Sequence, residues 1–311
     1  MKNRFEWIDN IRGIMIILVA LGHIIVDGSI DNTFNSIMRM PTFFMISGFL
    51  FKFKPPKSYL KHKIIHLIIP YFVYLVPILA LQMYLEDKSI IEYFARLTLS
   101  GSYLYTYTGV FWFINCLFFT QQIFNLLGRW SIKKISALMF LFLIIAYISN
   151  IYLKDIFFPW SINICLYSCP LFFMGFLFKK LIDEVHLNIL IPILTLVLIF
   201  ILSTFYFNEL YINMKLADYG IPFISFSLSI VSAFCMIKLF KSFKINIRLN
   251  IIGKASMVIM YLHLPMNYLI LNYYPNFNQW LLLLLAVTIP TCLYYLFRRH
   301  SFTKKYLLGE N

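Results

Sequence analysis

Three ionisable residues share one apolar stretch near the N-terminus, IDNIRGIMIILVALGHIIV: Asp9, Arg12 and His23. At ~100° per residue, Arg12 and His23 fall within about 20° of each other on a helix. Asp9 stands at i, i+3 spacing from Arg12 on the same side, where carboxylate and guanidinium can pair. Gly13 and Ala20 border this face and would let a second helix or a ligand approach the backbone. The rise from Arg12 to His23 is ~16 Å. With Arg12 at the cytoplasmic boundary, His23 comes near the middle of a hydrocarbon core about 30 Å thick. Ionisable groups inside a span are costly and mark function by default. An imidazole there titrates near neutrality and suits proton transfer. The plainer reading is a structural histidine with Arg12 as a snorkelling anchor. Three polar groups aligned on one face weigh against it.

Other polar residues interrupt the apolar sequence in smaller numbers. In MRMPTFFMISGFLFKFK, Ser47 and Gly48 offer a hydroxyl and a point of close approach. The run SYLKHKIIHLIIPYF places Lys57, Lys61, His62, Lys63 and His66 beside the bilayer. Such a cluster suits anionic headgroups or a phosphorylated cytoplasmic ligand. In residues 251–265, IIGKASMVIMYLHLP, Gly253 and Ser256 open a helix and His263 follows two turns later, before Pro265. A packed histidine in a Pro-kinked helix is the favoured reading, with a substrate contact as the other. Asn115 and Asn163 read as interhelical hydrogen-bonding groups. Cys116, Cys165, Cys169, Cys235 and Cys292 all lie in apolar stretches and read as small buried hydrophobes, with no metal set among them.

The elements that must hold these residues follow from composition. Of 311 residues, 61% are hydrophobic and 13% charged, with a net charge of +14. Soluble domains carry about 25% charged and 45–50% apolar residues. A water-soluble globule is therefore excluded, and so is disorder, which needs a polar chain poor in aromatics. A polytopic all-α membrane bundle remains. Ten apolar stretches of helix-spanning length lie near 10–27, 35–53, 64–85, 109–128, 135–153, 160–178, 187–207, 219–240, 255–273 and 279–297. The polar connection at 86–108 has room for a short re-entrant piece. The first stretch reads as a retained helix, since Asp9, Arg12 and His23 do not suit a cleaved signal peptide. No repeat or linker divides the chain, so residues 1–311 read as a single integral membrane domain. Counting Lys and Arg in alternate connections gives 22 on one side and five on the other. By the positive-inside rule both termini are cytoplasmic. The basic excess is thus spent on topology, and a nucleic-acid partner is not implied.

These residues resemble the acyltransferase 3 family of integral membrane proteins, which transfer acyl groups, often acetyl, to hydroxyls of cell-surface carbohydrates. The resemblance rests first on Asp9, Arg12 and Gly13 followed by His23, which is similar to the family's arginine and histidine eleven positions apart. It rests next on Phe43-Phe44-Met45-Ile46-Ser47-Gly48. Weaker matches are the basic run ending in Pro70-Tyr71, Trp112-Phe113, Pro170 to Gly175 and Gly253 to His263. The basic run departs from the family pattern: Lys63 and His66 stand where two arginines are usual. The likeness covers residue 4 to about 267 and implies about ten helices. It further implies a catalytic role for His23, as general base or transient acyl carrier. Arg12, held by Asp9, would handle the donor or stabilise negative charge. Acetyl-CoA, or another acyl-CoA, would be the cytoplasmic donor, with Lys61, Lys63, His66 and Ser47 as binding candidates. A carbohydrate hydroxyl is the implied acceptor, and the cytoplasmic membrane the implied location. Ten helices with intramembrane charges suit a transporter or flippase for a lipid-linked sugar equally well on physical grounds. Such proteins commonly show internal repeats with matched helix breaks, and the chain has neither.

Overall fold

The computed structural model describes residues 5–24, 30–153, 156, 158–243, 245 and 247–310, with residues 30 and 31 as backbone only. Among these the chain is all-α, with one isolated bridge between Asn213 and Asp218. The first helices in chain order are α1 (Glu6–Gly22), α2 (Ile30–Phe49), α3 (Pro56–Lys63), α4 (Ile69–Leu85), α5 (Ile90–Leu99), α6 (Trp112–Leu126) and α7 (Ile132–Tyr152). They are followed by α8 (Cys165–Leu181), α9 (Leu190–Phe205), α10 (Ile224–Ser242), α11 (Asn250–Lys254), α12 (Ser256–Tyr273), α13 (Gln279–Phe297) and α14 (Ser301–Tyr306). A π-helical turn, Ile64–Ile68, joins α3 to α4, so helix runs unbroken over Pro56–Leu85.

Each of the ten apolar stretches contains a helix. Six helical segments among the described residues are long and apolar enough to cross a membrane: Pro56–Leu85, Thr106–Arg129, Ile132–Tyr152, Pro159–Leu181, Ile224–Ser242 and Gln279–Phe297. Apolar side chains such as Phe140, Leu141, Ile145 and Leu284 stand exposed on their flanks, as lipid-facing residues do. The helices that carry Asp9, Arg12, Ser47 and His263, namely α1, α2 and α12, fall outside the six. At 17 residues α1 is ~25 Å long. It stops at Gly22, whereas the sequence pattern carried the first stretch to residue 27, and residues 25–29 lie outside the described chain. The second helix begins at Ile30 and ends at Phe49, several residues ahead of the expected 35–53. Its early turns are polar but buried among neighbours, so a hydropathy pattern starts it too late. The 86–108 connection folds as α5 and two short 3-10 turns, Gly101–Tyr103 and Thr106–Thr108. Helix α5 is amphipathic, with Ile90, Ile91 and Phe94 exposed and Arg96 buried.

The chain divides into two compact units. One comprises residues 1–52, 133–154 and 166–256. Here α1 packs along α11, α2 and α10, burying Ile11, Met15, Ile16 and Val19. Glycines set the closest approaches. A Cβ on Gly13 would strike the Leu249 carbonyl, and one on Gly253 the Asp9 carbonyl. Likewise a Cβ on Gly48 would meet the Phe172 carbonyl, and one on Gly175 the Met45 carbonyl. Both motif glycine pairs therefore bring backbones together, where dispersion contacts replace a hydrophobic drive that lipid cannot supply.

The other unit comprises residues 53–132, 155–165 and 257–311. Its interior is aromatic: Tyr74 stacks on Tyr261 at 4.6 Å, and Phe111 lies 5.0 Å from Tyr261 and 5.5 Å from Tyr71. Its C-terminal tail is pinned by a Tyr294 hydroxyl donating to Glu310 at 3.0 Å and by Arg298 3.6 Å from the same carboxylate.

Candidate functional site

Helix α1 presents the polar stripe. Asp9 is fully buried in its first turn, and the Arg12 Nη1 stands 3.9 Å from Asp9 Oδ1. The Arg12 side chain keeps 30% of its surface accessible. A buried carboxylate beside a half-open guanidinium helps fix the cation at this end of the helix. Eleven residues further on, His23 caps the helix with φ −90° and ψ 0°, its amide hydrogen-bonded to the Ala20 carbonyl. Its side chain is exposed. The expected place for His23 inside a continuing helix is therefore corrected: it stands at the C-terminal end of α1. An imidazole there is reachable by a ligand, which one packed inside a helix bundle is not.

His23 and Arg12 share a face but stand ~16 Å apart along the axis, so they cannot act on one carbonyl. The side chain beside His23's turn is Arg39, from the middle of α2. Its Nη1 occupies the place where a Cβ on Gly22 would be, and Nη2 lies 3.2 Å from that place. Arg39 is not alone on its face of α2. Asn32, Asn35, Ser36, Arg39 and Thr42 fall within an arc of about 120°, and all but Arg39 are fully buried. The Ser36 hydroxyl receives the Ile212 amide at 3.0 Å. The Thr42 hydroxyl has no hydrogen-bond partner among the described residues. Sequence reading missed this stripe. The signal was the i, i+3, i+4 recurrence of polar residues in NTFNSIMRMPT, just ahead of the apolar run.

The other candidates divide between packing and surface. The Ser47 hydroxyl donates to Phe43 O at 2.8 Å within its own helix. Lys61, Lys63 and His66 belong to the other unit, on α3 and the π-turn after it. Lys61 is exposed, and Lys63 lies over the Tyr59 ring at 5.4 Å. His66 Nδ1 contacts the Gly309 carbonyl and its ring lies 4.0 Å from that of His62, so it helps hold the C-terminal tail. Asn115 donates at 3.1 Å to both Tyr71 Oη and Ser100 Oγ, linking α6 to α4. His263 is completely buried, with Nδ1 2.7 Å from Ile259 O in its own helix. Among the described residues no three His, Cys, Asp or Glu side chains converge as metal ligands. A further buried cation, Lys238 on α10, donates through Nζ to the carbonyls of Ile182 and Val185 just past α8. It borders a cleft of about 340 Å³ with His186 and Ser242.

No curated protein and no solved structure matches the chain at a significant level. A family model described as an acyltransferase domain matches residues 5–299, a span that reaches into both units and takes in every candidate site residue. A match over nearly the whole chain, on an all-α framework with membrane-length apolar helices, establishes that this protein belongs to the acyltransferase 3 family.

Proposed function

We propose that the chain transfers an acyl group, in the first instance acetyl, from acyl-CoA to a hydroxyl of a cell-surface polysaccharide or its lipid-linked precursor. The observation that carries this is the exposed His23 at the end of α1, on the helix whose other end holds the Asp9–Arg12 pair. His23 accepts the proton of the acceptor hydroxyl, and the oxygen attacks the thioester carbonyl to form the new C–O bond. The tetrahedral oxyanion then collapses, the C–S bond breaks, and the thiolate takes the proton back from the imidazolium. A ping-pong variant has the imidazole itself carry the acyl group between two such steps. Arg12, held by Asp9, binds the donor some 16 Å away along the helix. In the other unit, Lys61 and Lys63 are point charges of the kind that phosphates attract.

The topology that goes with this reading is ten crossings of the cytoplasmic membrane with both termini inside. Donor would enter from the cytoplasm, where acyl-CoA is found.

The test is acyl transfer by purified protein in detergent, with acetyl-CoA as donor. The acceptor is surface polysaccharide isolated from a deletion strain. His23→Gln is expected to lose at least 10²-fold in kcat, within the span general-base removal produces. Acetyl-CoA should raise the thermal midpoint of both wild type and His23→Gln, since a ligand that binds only the folded state stabilises it. Full activity in His23→Gln would sink the mechanism. Absence of any acetyl-CoA shift in the wild type would sink the donor assignment.

A further inference from the structure

The reaction needs a donor of hydrogen bonds for the oxyanion that forms beside His23, and Arg12 stands too far away to be that donor. Between residues 5 and 51 the chain holds two strong bases, Arg12 and Arg39. The structure presses the second of these against Gly22, the residue next to His23. We infer that Arg39 supplies the oxyanion-stabilising guanidinium of the acyl-transfer site and that Gly22 is glycine to make room for it. This rests on the reading of His23 as the base.

Four observations converge on Arg39. Its Nη1 fills the volume any side chain at position 22 would need, so the last turn of α1 and the guanidinium are fitted to each other. It sits in the middle of α2, just ahead of the apolar run that ends at Phe49, where a cation is costly to retain. It lies on a buried polar face with Asn35, Ser36 and Thr42, and the Thr42 hydroxyl, one turn away, has no hydrogen-bond partner among the described residues. Lastly, His23 beside it is exposed, so a substrate atom can reach the base at the point where the guanidinium is held. A planar fork of N–H donors suits a carbonyl oxygen that gains charge, and a fixed donor needs no reorganisation when the charge appears. As the hydroxyl oxygen adds, the carbonyl C=O becomes a C–O⁻ held by Arg39. As the C–S bond breaks, the C=O is restored and the thiolate leaves with the proton from His23.

The plainer role for Arg39 is to cap α1, whose last carbonyls favour a cation. The two roles separate in kinetics. If Arg39 holds the oxyanion, Arg39→Met loses about 10²–10³-fold in kcat, the range for removal of one such donor, with KM for acetyl-CoA nearly unchanged. Arg39→Lys recovers part of that loss, and added guanidinium at millimolar concentration recovers part of it for Arg39→Ala. Gly22→Ala leaves the chain sequence of α2 intact but displaces the flexible guanidinium, and its kcat falls as well. All variants are compared per folded molecule, using full-length protein in detergent with acetyl-CoA and the isolated polysaccharide. A folded Arg39→Met or Gly22→Ala whose kcat stays within about twofold of wild type, while His23→Gln is inactive, overturns the role of Arg39 and leaves the base assignment standing. Activity retained by His23→Gln overturns the base assignment itself.

Discussion

An imidazole at the end of a helix is placed for different work from one in the middle of a bundle. His23 and His263 make the contrast within one chain. His263 is wholly enclosed and its Nδ1 is committed to the Ile259 carbonyl one turn back. His23 is exposed, and its backbone amide is tied into the last turn of α1. A base must exchange its proton with a substrate, so exposure decides between them. His263→Phe keeps the shape and removes the buried polar edge. It is expected to change stability by about 1–3 kcal/mol, the range for disturbing one buried hydrogen-bonding group. Its turnover per folded molecule should stay within a factor of a few of wild type. Thermal unfolding and kcat measured on the same sample check both halves, and a 10²-fold loss of kcat without loss of stability would return His263 to the site.

At the scale of elements, the period of the helix was legible and the ends were not. Asp9, Arg12 and His23 could be put on one face from spacing alone, because 3.6 residues per turn is a local rule. That Arg39, a side chain from another helix, packs against Gly22 at the end of α1 is a tertiary fact, and no local rule reports it. The same blindness hid α2's polar stripe. Asn32, Asn35 and Ser36 lower the hydropathy of turns that tertiary contacts nonetheless bury. Ser47 was legible as a hydroxyl in a span but not as one bonded back to Phe43. Loops show a further effect of packing on chemistry. Between α9 and α10 the chain closes on itself through Asn213 and Asp218, around the short turn Met214–Leu216. Burial there lowers the Lys215 ammonium from an ordinary 10.5 to about 8. Below pH 8 the lysine is protonated in both folded and unfolded chains, and the cost of burying its charge is constant. Between about 8 and 10.5 the unfolded chain binds more protons than the folded one, so stability rises with pH in that window. Lys215→Met removes the buried charge. Its thermal midpoint is expected to exceed wild type at pH 7 and to converge with it by about pH 10.5. A difference that does not shrink with pH would show that Lys215's effect is not electrostatic.

For the whole molecule the question is which way each helix runs across the bilayer, and the segment Pro56–Leu85 gives the sharpest test. It is 30 residues of continuous helix, ~45 Å long, more than the ~30 Å of a hydrocarbon core. Its ends differ in charge. Lys52, Lys54, Lys57, Lys61 and Lys63 crowd the first, and Glu86 and Asp87 stand with the single Lys88 at the second. Transfer of a basic cluster across the membrane is disfavoured, so the first end should lie inside and the second outside. Lys57 and Lys88 are both exposed, so cysteines placed there are reachable without disturbing the core. In a variant with Cys116, Cys165, Cys169, Cys235 and Cys292 replaced, Lys88→Cys should react with a membrane-impermeant maleimide added to intact cells. Lys57→Cys should react only after the membrane is opened. The reverse pattern would invert the topology and put the basic end of this helix outside. Labelling of both positions from outside would mean that this helix does not cross at all, and the ten-span arrangement would fail at its third member.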